Sequence, residues 1–101
     1  VRDRCTDYLS LWNMGKLEGV QPMLLPPQGQ DGAFLLALQR KLDEGTRYRK
    51  VNFRTIVVSG DSASVGFVCE FSTTKDKPKP DTEVILRFSR AGGIWKVTEH
   101  P

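Results

Sequence analysis

"GDSASVGFVCEF", residues 60–71, alternates along nearly its whole length. Ala63, Val65, Phe67, Cys69 and Phe71 fall on one side, and Ser64, Gly66, Val68, Glu70 and Ser72 on the other. Successive side chains of a strand point to opposite faces, so this stretch reads as a strand with one buried face. "SGD" (59–61) before it and "AGG" (91–93) after it are tight-turn sequences between apolar alternating runs. Four strands are expected, over about 47–58, 62–74, 81–90 and 94–100. "TTKDKPKPD" (73–81) reads as a long, solvated hairpin tip. Its prolines limit strand extension and its lysines discourage edge pairing.

Upstream, the period changes. Val1, Cys5, Tyr8, Leu9 and Trp12 recur on one face of a 3.6-residue repeat, which predicts a helix over 1–14 that stops at Gly15. "KLEGVQPMLL" (16–25) reads as a short helix or helical turn broken near Pro22, and "PPQGQDG" as a loop. A further helix is expected over 32–44, with Asp31 as N-cap, Gly45 as its stop, and an apolar stripe of Phe34, Leu35, Leu38 and Leu42. Helices first and an antiparallel meander after them give an α+β domain spanning 1–101, with the helices on one face of a curved four-stranded sheet. Strict alternation puts Val51, Phe53, Thr55 and Val57 on that face, with Ala63, Val65, Phe67, Cys69 and Phe71, then Val84, Leu86 and Phe88, then Trp95 and Val97.

The bulk numbers agree with one small soluble-type domain: 101 residues, 27% charged, net charge +3. That charge is too mild to argue for nucleic acid. No apolar run approaches the ~20 residues of a membrane-spanning helix. The chain starts at Val1 with no signal peptide, which fits an excised domain or a processed form.

The C-terminal half, "TIVVSGDSASVGFVCEF" followed by "EVILRFSRAGGIWKV", resembles the closing strands of NTF2-like (cystatin-like roll) domains. The shared pattern runs through Leu86, Phe88, Arg90, Gly93, Trp95, Lys96 and Val97. "YLSLWNMGKLEGVQPMLLPP" is similar to the opening helices of that superfamily. Only "LPPQGQD" stands where many members insert a hairpin, so the likeness is to the shorter, hairpin-less members, SnoaL-like or uncharacterised. The resemblance implies a cone between helices and sheet, and a function drawn from a wide range: isomerases, dehydratases, transport factors, dimerisation modules.

Enzymes of that kind need an acid or base inside the cone. By parity, Glu99 shares the inward face with Trp95 and Val97, and Arg49 and Arg47 share it with Val51. The expected cone lining is Tyr8, Trp12, Phe34, Arg49, Thr55, Phe67, Trp95 and Glu99, and Glu99 with Tyr8 is the catalytic alternative. Glu99 lies near the chain end and the arginines at a strand start, which favours a structural role for each. His100, the only histidine, is out of step with Trp95 and is expected at the surface. Cys5 and Cys69 both carry the inward parity, so they read either as a helix-to-sheet disulfide or as two buried thiols. Arg40, Lys41, Arg47, Arg49, Lys50 and Arg54 form a basic run that alternation splits between two faces, a solvated surface rather than a nucleic-acid groove.

Ile56, Val58, Val68 and Ile85 are expected on the outer sheet face, an apolar group suited to a homodimer or to other domains of a parent protein. No phosphate loop, zinc spacing or nucleophile elbow is present, and no metal or cofactor is expected. The reading is a non-catalytic binding or assembly module, in an exported setting if the disulfide forms. The alternative is a small-molecule enzyme of the SnoaL or ketosteroid isomerase type, holding a small apolar ligand in the cone.

Overall fold

Helix α1 (Arg2–Trp12) buries Cys5, Tyr8, Leu9 and Trp12 along one stripe. The spacing in the sequence is therefore the packing in space. In the computed structural model, which describes residues 1–101, α1 gives way at Asn13, whose side chain leaves the helix axis to bond the first strand. Helix α2 (Leu17–Val20) runs into a single 3₁₀ turn at Gln21–Met23, where Pro22 blocks a longer helix. Leu24 then pairs in parallel with Val97, and Leu25 N donates to Val97 O at 2.8 Å. Helix α3 (Asp31–Asp43) buries Leu38 and Leu42, with Phe34 and Leu35 at its margin. Asp31 is the first helical residue rather than the N-cap. Gln30 precedes it and makes no side-chain cap bond, so Asp31 acts on the helix dipole instead. Gly45 ends the helix with φ +76°, and a Cβ there would meet Thr74 Cγ2 at 2.6 Å.

Strands β1 (Arg47–Ser59), β2 (Ser62–Ser72), β3 (Lys79–Ala91) and β4 (Ile94–Glu99) form one antiparallel sheet in that order. The three helices lie on its concave face, and the sheet stays open. Along β2 the alternation holds as expected, with Ala63, Val65, Phe67 and Cys69 buried.

The outer strands do not keep a constant period. Arg49 pairs with Glu70 but Asn52 with Val68, so β1 carries one extra residue, and Lys50 sits there at φ +53°. Phe53 pairs with Phe67 but Thr55 with Gly66, a second extra residue at Arg54. In β4, Phe88 pairs with Val97 but Arg87 with Glu99, which leaves Thr98 as the extra residue. A bulge bends its strand and reverses which face every later residue meets.

Three expectations change as a result. Before the first bulge, Tyr48 lies opposite Phe71 and is buried, while Arg49 points out. After the second, Thr55 and Val57 are carried to the convex face, and Ile56 and Val58 to the concave face opposite Val65 and Ala63. After the third, Glu99 turns out and His100 turns in. Ile56 and Val58 stay exposed because the helices do not reach this end of the sheet.

Glu99 already pairs with Arg87 next to the Phe88–Val97 pair, so deleting Thr98 should close the ladder and leave Glu99 out and His100 in. We expect a change in stability within about 1 kcal/mol by urea unfolding. A loss above about 3 kcal/mol would show that the extra residue is itself needed to seat His100.

Candidate functional site

The polar centre of the molecule is His100, held between two tyrosines. Tyr8 Oη lies 2.7 Å from His100 Nδ1, and Tyr48 Oη lies 2.7 Å from His100 Nε2. Three separate elements deliver the three side chains. Tyr8 comes from the buried stripe of α1, Tyr48 from β1 ahead of its first bulge, and His100 from the residue just after β4. Trp12 packs against the imidazole at a tilt of 49° with ring centres 4.3 Å apart, and donates its own N–H to Thr46 O at 3.0 Å. Asn13 holds the far end of Tyr48. Its Nδ2 donates to Tyr48 O at 2.6 Å, and Tyr48 N donates to its Oδ1 at 3.0 Å. That reciprocal pair imitates a strand neighbour along the free edge of β1.

The group is sealed. Tyr8 and Trp12 have 0% of their surface exposed, and His100 has 8%. A void the size of water beside either aromatic ring would appear as exposed area, so the inner cone holds side chains, not solvent. Phe67, Phe88, Leu38, Leu86 and Val97 complete the filling.

Burial dominates the electrostatics here. It pulls His100 down to about 3, with the nearby Lys41 cation acting in the same direction. It also raises Tyr8 and Tyr48 above their ordinary range, and pushes the Cys5 thiol up to about 12. Cys69 is raised for the same reason. At neutral pH every titratable group of the inner cone is uncharged: an imidazole, two phenols and two thiols.

The residues expected to line a cone pocket separate into two sets. Tyr8, Trp12 and Phe67 are core, with Phe34 and Trp95 packed at its edge. Arg49, Thr55 and Glu99 lie outside it. Arg49 reaches Ser72 Oγ at 3.3 Å on the surface. Thr55 lies opposite Gly66 on the convex face. Glu99 pairs with Arg87 at 2.9 Å, its side chain 64% exposed. The catalytic alternative of Glu99 with Tyr8 is therefore not assembled. Cys5 and Cys69 are free, buried thiols with no disulfide between them. Val68 and Ile85 lie on the convex face as expected.

Tyr48 and His100 were missed because each lies across a bulge from the residues that set its parity. One signal was available for Tyr48. Strict alternation with Val51 and Phe53 would have left a large aromatic ring in solvent, which itself argues for a bulge. No such signal marked His100.

No protein-family model matches the chain, and no curated protein matches it at a significant level. Solved structures do match. A designed NTF2-like protein superposes with a TM-score of 0.68 over 95% of this chain and 90% of its own, at 8% identity. A SEC-C motif containing protein from Rhodopseudomonas palustris superposes at 0.65 and 14% identity, over 99% of this chain and 73% of its own. A third match, to a de novo designed protein from work on diverse pocket structures, reaches 0.57 and 23% identity over 96% of this chain and 94% of its own. The fold is NTF2-like, and identities this low speak to fold alone.

A pH prediction follows from the buried imidazole. In the unfolded chain His100 takes up a proton near its ordinary value of 6.5, whereas in the folded chain it does so only near 3. Stability should be unaffected by this group above pH 6.5 and should fall as pH drops from 6.5 toward 3. The loss is on the order of 4 kcal/mol. Urea unfolding across that range should show the slope in the wild type and a shallower one in His100→Asn. Equal slopes would mean that His100 is not sealed.

Proposed function

We propose that this protein is a non-catalytic binding or assembly module that works through its outer surface. One observation carries the reading: the cone is filled by Tyr8, Trp12, Tyr48, Phe67, Phe88 and His100. An NTF2-like enzyme needs an empty cone with an acid or base in it. This interior holds no carboxylate or ammonium, and its imidazole is bonded on both nitrogens and sealed.

The convex sheet face supports an assembly role. Val57 and Ile85 are 52% and 50% exposed there, with Val68 half-buried beside them. Thr55, Ser64 and Gly66 keep the surface between them low. A Cβ on Gly66 would fill the step between Thr55 Cβ and Ile85 Cγ1, at 3.9 and 3.8 Å. Such a face lets a second sheet approach to the usual face-to-face spacing. Lys50–Glu70 and Arg87–Glu99 supply both signs of charge around it, so a second copy related by a two-fold axis meets opposite charges. The partner favoured is another copy of this chain.

Sedimentation velocity should show a monomer–dimer equilibrium with a Kd below about 100 µM, abolished by Ile85→Glu without loss of thermal stability. A wild type that stays monomeric at about 1 mM, or an Ile85→Glu dimer as tight as the wild type, would overturn the proposal.

A further inference from the structure

The open sheet has three stretches of outer edge, and the chain protects two of them. Leu24 and Leu25 cover β4 at Val97. The part of β3 that extends beyond β4 carries Lys79, Pro80, Asp81 and Glu83, whose charges and missing N–H discourage pairing. The third stretch is the outside of β1. Asn13 occupies it at Tyr48, in the manner of a neighbouring strand. From Val51 to Ser59, no hydrogen bond reaches the strand from outside its ladder with β2.

Thr55–Ser59 is the regular part of that bare edge. It pairs with β2 without interruption, from Thr55 opposite Gly66 to Ser59 opposite Ser62. It holds no proline and no charge, and the bulges that blunt the edge lie upstream of it. Ile56 and Val58 stand 40% and 54% exposed on its concave side. An unpaired edge of exposed β-branched residues is a template for another strand.

The charges around it select the strand. Arg54 lies just before the stretch, and the Arg2 guanidinium sits 4.9 Å from the centre of the Phe53 ring. Both arginines are exposed and neither forms an ion pair. Asp3 and Asp7 share α1 with Arg2, yet no ion pair joins them to either arginine. At the other end of the stretch, Asp61 is already held by Arg90. Strand β1 contains Arg47, Arg49, Lys50 and Arg54 and no acid, so β1 of a second copy would leave Arg2 and Arg54 unmatched.

We infer that the outer edge of β1 over Thr55–Ser59 takes an extended segment of another protein, β-branched along its length and acidic at one end. Its backbone continues the sheet by one strand. Side chains on one of its faces lie on Ile56 and Val58, and its acidic end meets Arg2 and Arg54. Antiparallel addition, the stronger pairing, puts that acidic end at the C-terminus of the segment. The site is lateral to the proposed dimer face, which uses Val57 and Ile85 on the convex side.

The probe is an acetylated and amidated peptide, Thr-Val-Thr-Val-Thr-Glu-Glu, titrated into isotope-labelled protein and followed by NMR. The controls are the same peptide N-methylated along its backbone and one ending in two lysines. We expect saturable shifts at the amides of Thr55–Ser59 with a Kd below about 1 mM. The lysine peptide should bind at least about fivefold more weakly, and the N-methylated one should not bind. Arg54→Glu, a change at an exposed position, should weaken the glutamate peptide and strengthen the lysine peptide. Ile85→Glu should bind the glutamate peptide as the wild type does, which separates this edge from the proposed dimer face. The inference is overturned by the absence of saturable shifts, by equal binding of either control, by an unchanged preference in Arg54→Glu, or by loss of binding in Ile85→Glu. It is overturned equally if the Thr55–Ser59 amides of Ile85→Glu shift with protein concentration alone, which would make a second copy the occupant.

Discussion

The structure depends on a neutral histidine caught between two phenols. His100 joins the last residues of the chain to the first helix through Tyr8 and to the first strand through Tyr48. These contacts span 92 and 52 residues of sequence. Each hydrogen bond contributes about 1 kcal/mol net. The larger effect is the penalty for losing one, because a phenol and a ring nitrogen would be left unpaired in a dry core. The arrangement is thus a strong constraint on register: the sheet must deliver Tyr48 and His100 to the same depth beneath α1, or the core carries orphaned donors.

Bulges are how the sheet meets that constraint. If β1 ran through Lys50 in strict alternation, Tyr48 and the pair Val51 and Phe53 could not all face the helices. If Thr98 took its place in the ladder instead of bulging, Val97 and His100, three residues apart, could not both do so. The left-handed backbone at Lys50 carries a cost of roughly 1–2 kcal/mol for a residue other than glycine, and burial of Tyr48 and Val51 offsets it. The same bulges remove Glu99 and Arg49 from the interior. One mechanism therefore makes the cone polar only at its neutral centre and charged only at its surface.

This mechanism also sets what can be read from the sequence. The α+β order, the helix stripe of Cys5, Tyr8, Leu9 and Trp12, and the buried face of β2 were legible because nothing interrupts their periods. Thr55, Val57, Ile56, Val58, Glu99 and His100 were assigned to the wrong faces because each lies beyond an inserted residue. Lys50 and Thr98 carry no mark of that role, whereas a glycine in the left-handed region would have been a hint. The candidate site was half legible. Helical spacing placed Tyr8 and Trp12, but the partners that give Tyr8 its purpose sit across bulges. Whether the two cysteines bond depends on their approach in space, which parity alone does not supply.

The central claim is that His100 is buried, neutral and bonded on both nitrogens. The most direct test is to follow the His100 ring Cε1 proton by NMR across an acid titration of the folded protein. It should hold a constant shift through the ordinary histidine range and begin to titrate only near pH 3 or on unfolding, in line with a value pulled down to about 3. A simple titration centred near 6.5 in the folded state would place the imidazole in solvent and contradict the account.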